Sequence, residues 1–136
     1  MATKSGRTTP CDVAMRRGRQ HKARQFYAAA SDIADLATDP GEVCDAYVTL
    51  LVHAGIAAAD VLCCASLGEH AQGDSHVEAV ALLATFDADR AKDLRILLQV
   101  KTKAAYSHQR VSTSERAKAQ RACDRLIEAI DAELEP

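Results

Sequence analysis

Between Pro40 and Pro136 this chain of 136 residues contains no internal proline, and 27 of its residues are alanine. Alanine has the highest intrinsic helix propensity and proline interrupts helices, so the composition favours long, uninterrupted helices. No run of alternating β-branched residues indicates a strand. The sequence therefore predicts an all-α fold, a compact bundle of four to five antiparallel helices.

Apolar residues at helical spacing, together with start and stop signals, divide the chain into five predicted helices. Helix one is expected over residues 19–37, before a proline–glycine breaker, and helix two over about 42–70. Helix three is expected to open at residues 75–78 and helix five at residues 112–115, because both have the Ser-x-x-Glu pattern of a capping box. Helix four is expected over about 87–106.

The length is that of one domain, and 48% hydrophobic with 26% charged residues is typical of a globular protein. Asp60 and Glu69 interrupt the longest apolar run, which predicts no span of the ~18 residues that a membrane helix needs. Residues 1–19 lack the apolar core of a secretory signal. These features exclude a membrane protein and a multidomain enzyme.

Charge is strongly segregated along the chain, although the formal net charge is only −2. Residues 1–24 carry seven basic side chains and one acidic one, and residues 25–86 carry nine acidic side chains and no Lys or Arg. Residues 90–125 carry ten basic side chains and three acidic ones. Such blocks create local fields that the net charge conceals. Residues 1–18 are interpreted as a basic, disordered arm and residues 19–136 as the helical domain.

Five cysteines, two of them adjacent, indicate neither a disulfide scaffold nor a metal site. The chain has no Cys-x-x-Cys pair, and the spacing of Cys63, Cys64, His70 and His76 fits no standard zinc pattern. Small buried thiols on an apolar helix explain the adjacent cysteines better. Reduced thiols, a cytoplasmic location and no metal or other cofactor are therefore expected.

Two segments carry a resemblance to a known family: residues 101–108, Lys-Thr-Lys-Ala-Ala-Tyr-Ser-His, and residues 47–60 on helix two. With the Ser/His-opened third helix and the Val-Ser turn at 111–112, they resemble the small bacterial members of the HEPN superfamily over about residues 20–132. The resemblance implies a helical bundle that often dimerises. Many HEPN proteins are metal-independent ribonucleases, others bind nucleotides or nucleic acid without cleavage, and many pair with a nucleotidyltransferase in toxin–antitoxin modules.

The ribonuclease motif of that family, an Arg and a His separated by four to six residues near a helix end, carries over in part. His108 takes the histidine position, and Lys103 or Lys101 takes the arginine position. Cleavage without a metal needs a base for the 2′-hydroxyl and a cation on the phosphate, which lysine holds less rigidly than arginine. A regular helix favours Lys101 as the partner, whereas a helix that unwinds after Tyr106 favours Lys103.

Four further residues are candidate substrate-binding groups. Tyr106 could stack on a base, and Arg110 belongs to the same basic cluster. His53 and Asp60 lie seven residues apart on helix two and could form an acid–base pair in a cleft. The structural alternatives are a core or dimer-contact tyrosine, buried polar groups satisfied by neighbouring helices, and a solvated helix end whose cations complement the helix dipole.

Three functions follow from these patterns. The first is a HEPN-like module, expected to be a homodimer, that binds RNA or a nucleotide and has a degenerate ribonuclease motif. The second is an active metal-independent endoribonuclease toxin with a nucleotidyltransferase-type antitoxin as its partner. The third is a helical adaptor that binds a protein and no nucleic acid.

Overall fold

The computed structural model describes residues 7–72 and 76–134, with side chains up to residue 132, and it confirms the all-α bundle. The described residues form five α-helices: α1 (Val13–Leu36), α2 (Cys44–Leu67), α3 (Val77–Ala84), α4 (Ala88–Ala105) and α5 (Thr113–Leu134). A short 3-10 helix, Pro40–Val43, precedes α2. Two three-residue strands, β1 (Thr8–Pro10) and β2 (Glu69–Ala71), pair antiparallel.

Helix α2 is the centre of the bundle. It packs against α1, α4 and α5, and 15 of its 24 residues are buried. Small side chains allow the neighbouring helices to approach closely, and Gly55 is the extreme case. A Cβ atom at Gly55 would lie 2.2 Å from Leu97 Cδ1 of α4, far inside van der Waals contact. The helix runs through Gly55 without interruption, as the sequence favours.

The segment Pro40–Leu67 is long and apolar enough to cross a membrane by composition, which the sequence analysis did not predict. Within the protein, however, 72% of its most apolar 18-residue window is buried. Asp60, near the end of this segment, forms an ion pair with Arg19 of α1. The burial of this segment is that of a core helix in a helical bundle.

The N-terminal part of the chain differs from the prediction. Helix α1 begins at Val13 rather than Arg19, because Asp12 caps it by accepting a hydrogen bond from the Met15 N–H at 2.8 Å. Strands β1 and β2 were not predicted. The interpretation of residues 1–18 as a disordered arm is therefore wrong for β1 and for the first turns of α1, while residues 1–6 lie outside the described part of the chain.

The helix boundaries show which local signals were informative. In α5 the capping box is confirmed: Ser112 Oγ accepts from the Glu115 N–H at 3.1 Å, and Glu115 Oε1 accepts from the Ser112 N–H at 2.9 Å. The box predicted for α3 includes Ser75, which lies outside the described residues. Helix α2 ends at Leu67, earlier than expected, because Gly68 adopts a left-handed conformation with φ 71°.

A disulfide joins Cys11 to Cys64, so the expectation of reduced thiols is wrong for these two residues. Cys44, Cys63 and Cys123 are free and buried. Burial raises the pKa of Cys63 and of Cys123 to about 12, which keeps both as unreactive thiols at neutral pH. Among the described cysteines, the pair that can undergo thiol–disulfide exchange is therefore Cys11 and Cys64, at the C-terminal end of α2.

Candidate functional site

The predicted ribonuclease motif lies where α4 ends. The helix terminates at Ala105 and Tyr106 is its C-cap, so the backbone is no longer helical at His108. His108 and Arg110 are exposed in the connection to α5, and Tyr106 is 78% exposed. The geometry is that of the unwound alternative, in which Lys103 was the expected partner of His108.

Lys103 is instead held by α5. Its Nζ lies 2.9 Å from Glu115 Oε1, the same oxygen that accepts the Ser112 N–H in the capping box. The backbone hydrogen bond from Ser112 and then that from Lys103 lower the pKa of the Glu115 carboxyl. One carboxylate therefore caps α5 and neutralises Lys103, which the sequence analysis did not foresee.

Lys101 lies beside Tyr106. The Lys101 Nζ is 6.0 Å from the centroid of the Tyr106 ring, at the limit of cation–π contact. Both side chains line a small cavity of about 30 Å³ together with His53. The structure thus brings together three residues that the sequence placed on two separate helices.

His53 is exposed, and the expectation of a buried polar group is wrong for it. Its ring contacts Phe26 of α1, with centroids 5.6 Å apart and an interplanar angle of 37°. Within the described residues, no hydrogen bond or ion pair joins His108 to Lys101 or Lys103. The partners of the two lysines are Glu115 for Lys103 and the Tyr106 ring for Lys101.

Asp60 belongs to a second site at the other end of α2. Its Oδ2 accepts from Arg19 Nε at 3.1 Å and lies 2.9 Å from Arg19 Nη2. Burial raises the pKa of the Asp60 carboxyl, while Arg19, His70 and His76 act in the opposite direction. His53 and Asp60 line different cavities, so the structure does not bring these two candidates together as an acid–base pair. For Asp60 the structural alternative, a buried group satisfied by a neighbouring helix, is the one observed.

We call the space around this pair the Asp60 cavity. It has a volume of about 400 Å³ and lies between α1, α2, β2 and α3. Its walls are formed by Met15, Arg19, Ile56, Asp60, His70, Ala71, Gln72, His76, Glu78 and Ala79. Among the described residues, no group of three or more His, Cys, Asp or Glu side chains could hold a metal ion.

The basic block of residues 90–125 folds onto two adjacent helices, α4 and α5, and their connection. Asp93, which is buried, pairs with two of its members: Arg90 Nε at 2.9 Å and Arg125 Nη2 at 2.8 Å. Lys103 pairs with Glu115. Within the described residues the other seven have no ion pair, namely Lys92, Arg95, Lys101, Arg110, Arg116, Lys118 and Arg121.

A groove of about 460 Å³ runs between the two basic helices, and we call it the α4–α5 groove. It is lined on α4 by Ile96, Gln99 and Val100, and on α5 by Glu115, Lys118, Arg121 and Arg125. The sequence analysis counted these cations but did not single them out. Their spacing of three and four residues, which places them on one side of α5, was the signal that could have found them.

Comparison of the chain with protein-family models, with curated proteins and with solved structures finds no match. The HEPN resemblance therefore stays a prediction that rests on the two quoted segments.

Proposed function

We propose that the protein binds single-stranded RNA along the α4–α5 groove. One observation carries the proposal: seven basic side chains without an ion pair among the described residues lie on two packed helices and their connection, and an exposed tyrosine lies in that connection. Phosphate contacts supply most of the sequence-independent affinity for nucleic acid. Unpaired lysines and arginines can make such contacts without first breaking an ion pair.

The groove offers a row of cations to a phosphodiester backbone. Lys118 and Arg121 have no carboxylate partner among the described residues, and both are exposed. Arg125 lies on the same side of α5 but is partly neutralised by Asp93. The paired Glu115 lies at one end of the groove, where Lys103 and the helix N-terminus offset its charge. The charged side chains that line the groove are therefore one acid and three cations.

Tyr106 gives the surface a place for a base. Its ring is 78% exposed, and Lys101 lies at one side of it. Aromatic rings next to a positively charged track are the usual platform for unpaired bases, because every base has a π face. An unpaired strand can therefore stack a base on Tyr106 while its phosphates contact the cations of α4 and α5.

Binding without efficient cleavage is the form of this function that the contacts favour. Lys103 is paired with Glu115, and among the described residues the contact of Lys101 is with the Tyr106 ring at 6.0 Å rather than with His108. This agrees with the HEPN-like interpretation of a degenerate motif in which His108 and a lysine replace the His and Arg pair. A homodimer and a nucleotidyltransferase-type partner follow from the resemblance and stay predictions. The cytoplasmic location that the sequence analysis expects also stays a prediction.

The test is a titration of a fluorescently labelled, unpaired oligouridylate with the protein in EDTA, followed by anisotropy at several salt concentrations. We expect Lys118→Ala/Arg121→Ala to weaken binding by about tenfold or more and to reduce the salt slope by about 1.4, because each lost phosphate contact on a single strand contributes roughly 0.7. The matched control is Lys22→Ala, an exposed lysine of α1 with no ion pair in the described chain. Its affinity should stay within about twofold of the wild type.

Two outcomes would contradict the proposal. Absence of RNA binding at low salt would leave the adaptor as the remaining function, and an equal loss in Lys22→Ala would show that only diffuse charge matters. The same samples, run on a denaturing gel with His108→Ala beside the wild type, test the ribonuclease toxin. Cleavage by the wild type that is lost in His108→Ala would identify the protein as an active nuclease.

A further inference from the structure

The Cys11–Cys64 disulfide ties two junctions of the chain together. Cys11 lies between β1 and Asp12, which caps α1, and Cys64 lies in the last turn of α2. The Cα atoms are 5.8 Å apart, and the Cys11 N–H donates to the Gly68 carbonyl at 3.0 Å. The bond therefore holds the start of α1 against the point where α2 ends and β2 begins.

Apart from this bond, little holds β1 in place. The strand has three residues, pairs only with β2 among the described strands, and is largely exposed. The Gln72 N–H extends the pairing by donating to the Arg7 carbonyl at 2.9 Å. A two-stranded ribbon is marginal in water even when it is longer than this one. The disulfide is therefore the main tether of residues 7–11.

The ribbon also forms part of the wall of the Asp60 cavity. His70 of β2 lines the cavity and pairs with Thr9 of β1, and its Nδ1 lies 2.9 Å from the Ala71 carbonyl oxygen. Arg19, the partner of Asp60, lies on α1, less than three turns after Cys11. The disulfide therefore lies next to two walls of the cavity: α1 begins just after Cys11, and β2 begins a few residues after Cys64.

We propose that the Cys11–Cys64 disulfide is a redox-sensitive clamp on the Asp60 cavity. Its reduction by a dithiol releases β1 from β2 and loosens the cavity wall that carries His70, while the helices around the core of α2 stay folded. The clamp is closed when the two sulfurs are bonded and open when both are thiols.

The reaction is an ordinary thiol–disulfide exchange. A thiolate of the reductant attacks the Cys11 sulfur, which is the more exposed of the two; the bond to Cys64 breaks, and Cys64 leaves as a thiolate that takes up a proton. The second thiol of the reductant then attacks the mixed disulfide and loses its own proton. Cys11 leaves as a thiol, and the reductant, having given two electrons, becomes a disulfide.

The other cysteines do not compete in this exchange. Cys44, Cys63 and Cys123 are buried, and burial raises the pKa of each thiol. Their thiolate fraction at neutral pH is correspondingly small. In reducing compartments, disulfides of this kind are usually transient or redox-sensing rather than structural. A partly exposed disulfide, in a chain whose other described cysteines are buried thiols, is consistent with a redox-sensing role.

Hydrogen exchange measured by mass spectrometry on the full chain tests the clamp, with and without a dithiol such as dithiothreitol. We expect amides in two segments, 7–16 and 64–72, to exchange about tenfold or more faster after reduction and to lose most of their protection, whereas amides of α5 stay protected and exchange only through global unfolding. Cys11→Ser without reductant should reproduce the reduced pattern. Cys63→Ala, which leaves the disulfide intact, is the matched control and should still respond to dithiothreitol.

Three results would overturn the proposal. Alkylation of the oxidised protein followed by mass measurement could count five free thiols, which would show that the bond does not form. Exchange in the two segments could be unchanged on reduction, which would show that the ribbon does not depend on the bond. Loss of protection throughout the protein, α5 included, would show that the disulfide supports the whole fold rather than one cavity.

Discussion

The Asp60 cavity and the α4–α5 groove both contain arginines, but they treat charge in opposite ways. In the cavity, Arg19 is paired with a carboxylate that is only 13% exposed. In the groove, Lys118 and Arg121 are exposed and have no carboxylate partner among the described residues. A paired, half-buried cation stabilises the fold, whereas an exposed and unpaired one is available to a ligand. Substitutions in the two regions should therefore have opposite profiles of stability and binding.

The largest loss of stability should come from Cys11→Ser, which removes the disulfide beside the Asp60 cavity. The disulfide closes a loop with a sequence separation of 53 residues, and its loss should lower the free energy of unfolding by about 4 kcal/mol through the added entropy of the unfolded chain. Urea denaturation with and without dithiothreitol measures this. The free energy of unfolding of the wild type in dithiothreitol should equal that of the variant. A wild-type value that dithiothreitol leaves unchanged would contradict the expectation.

Arg19→Ala should have the next largest effect, a loss of about 1–3 kcal/mol at neutral pH, because the largely buried Asp60 carboxylate is left without its cation. The effect should shrink on acidification. Burial raises the pKa of the Asp60 carboxyl, so its ionised form opposes folding; this cost is absent once the group is protonated at low pH and appears as the pH rises through the folded-state pKa.

Urea midpoints of the wild type and Arg19→Ala at about pH 7 and about pH 4 check the pH dependence. Arg24→Ala is the matched control, since Arg24 pairs with Asp131 at an exposed site. Its effect should be below about 1 kcal/mol. A loss in Arg19→Ala that is equal at both pH values would mean that packing of the arginine, not the charge of Asp60, is responsible.

Glu115→Gln should change both stability and RNA binding, because Glu115 both caps α5 and neutralises Lys103. We expect a loss of about 0.5–1 kcal/mol in stability together with RNA binding that is tighter by about twofold to threefold, as a carboxylate leaves the groove. The wild type should lose this part of its stability as the pH falls through the folded-state pKa of Glu115, which is lowered. Thermal unfolding and anisotropy on the same preparation measure both; weaker binding by the variant would contradict the proposed groove.

Arg121→Ala should have the smallest effect on stability, less than about 0.5 kcal/mol, since the side chain is exposed and has no ion pair among the described residues. Its RNA affinity should nevertheless fall about threefold or more. Differential scanning fluorimetry and anisotropy give the two numbers. If Arg121→Ala lost stability but kept its RNA affinity, Arg121 would stabilise the fold as Arg19 does, and the contrast between the groove and the cavity would be wrong.

Features set by neighbours in the sequence were the predictable ones. Ser112 and Glu115 are three residues apart, and their reciprocal bonds follow from the requirements of a helix N-terminus. The end of helix α1 and the span of α4 were found for the same reason. The ribbon was missed because three residues are too few to show an alternating pattern, and nothing local links Cys11 to Cys64.

The candidate site shows the same division. That Lys101, Lys103 and Tyr106 lie together near a helix end was predictable from their spacing in the sequence. The partner of each lysine was not predictable, because Lys103 pairs with a residue of the next helix and Lys101 lies 6.0 Å from the ring of Tyr106, the C-cap residue of α4. The exposure of His53 depends on which helices cover α2, and helical period alone does not determine that.

Gly55 connects the interior of the bundle to the proposed RNA surface. Leu97 of α4 rests against the bare backbone of α2 at this position, and Leu126 of α5 lies near the same point, 3.4 Å from where a Cβ atom would be. Helices α4 and α5, which form the two walls of the α4–α5 groove, therefore both pack close to α2 at Gly55. A side chain at position 55 would collide with Leu97 and so displace α4, which forms one wall of the α4–α5 groove.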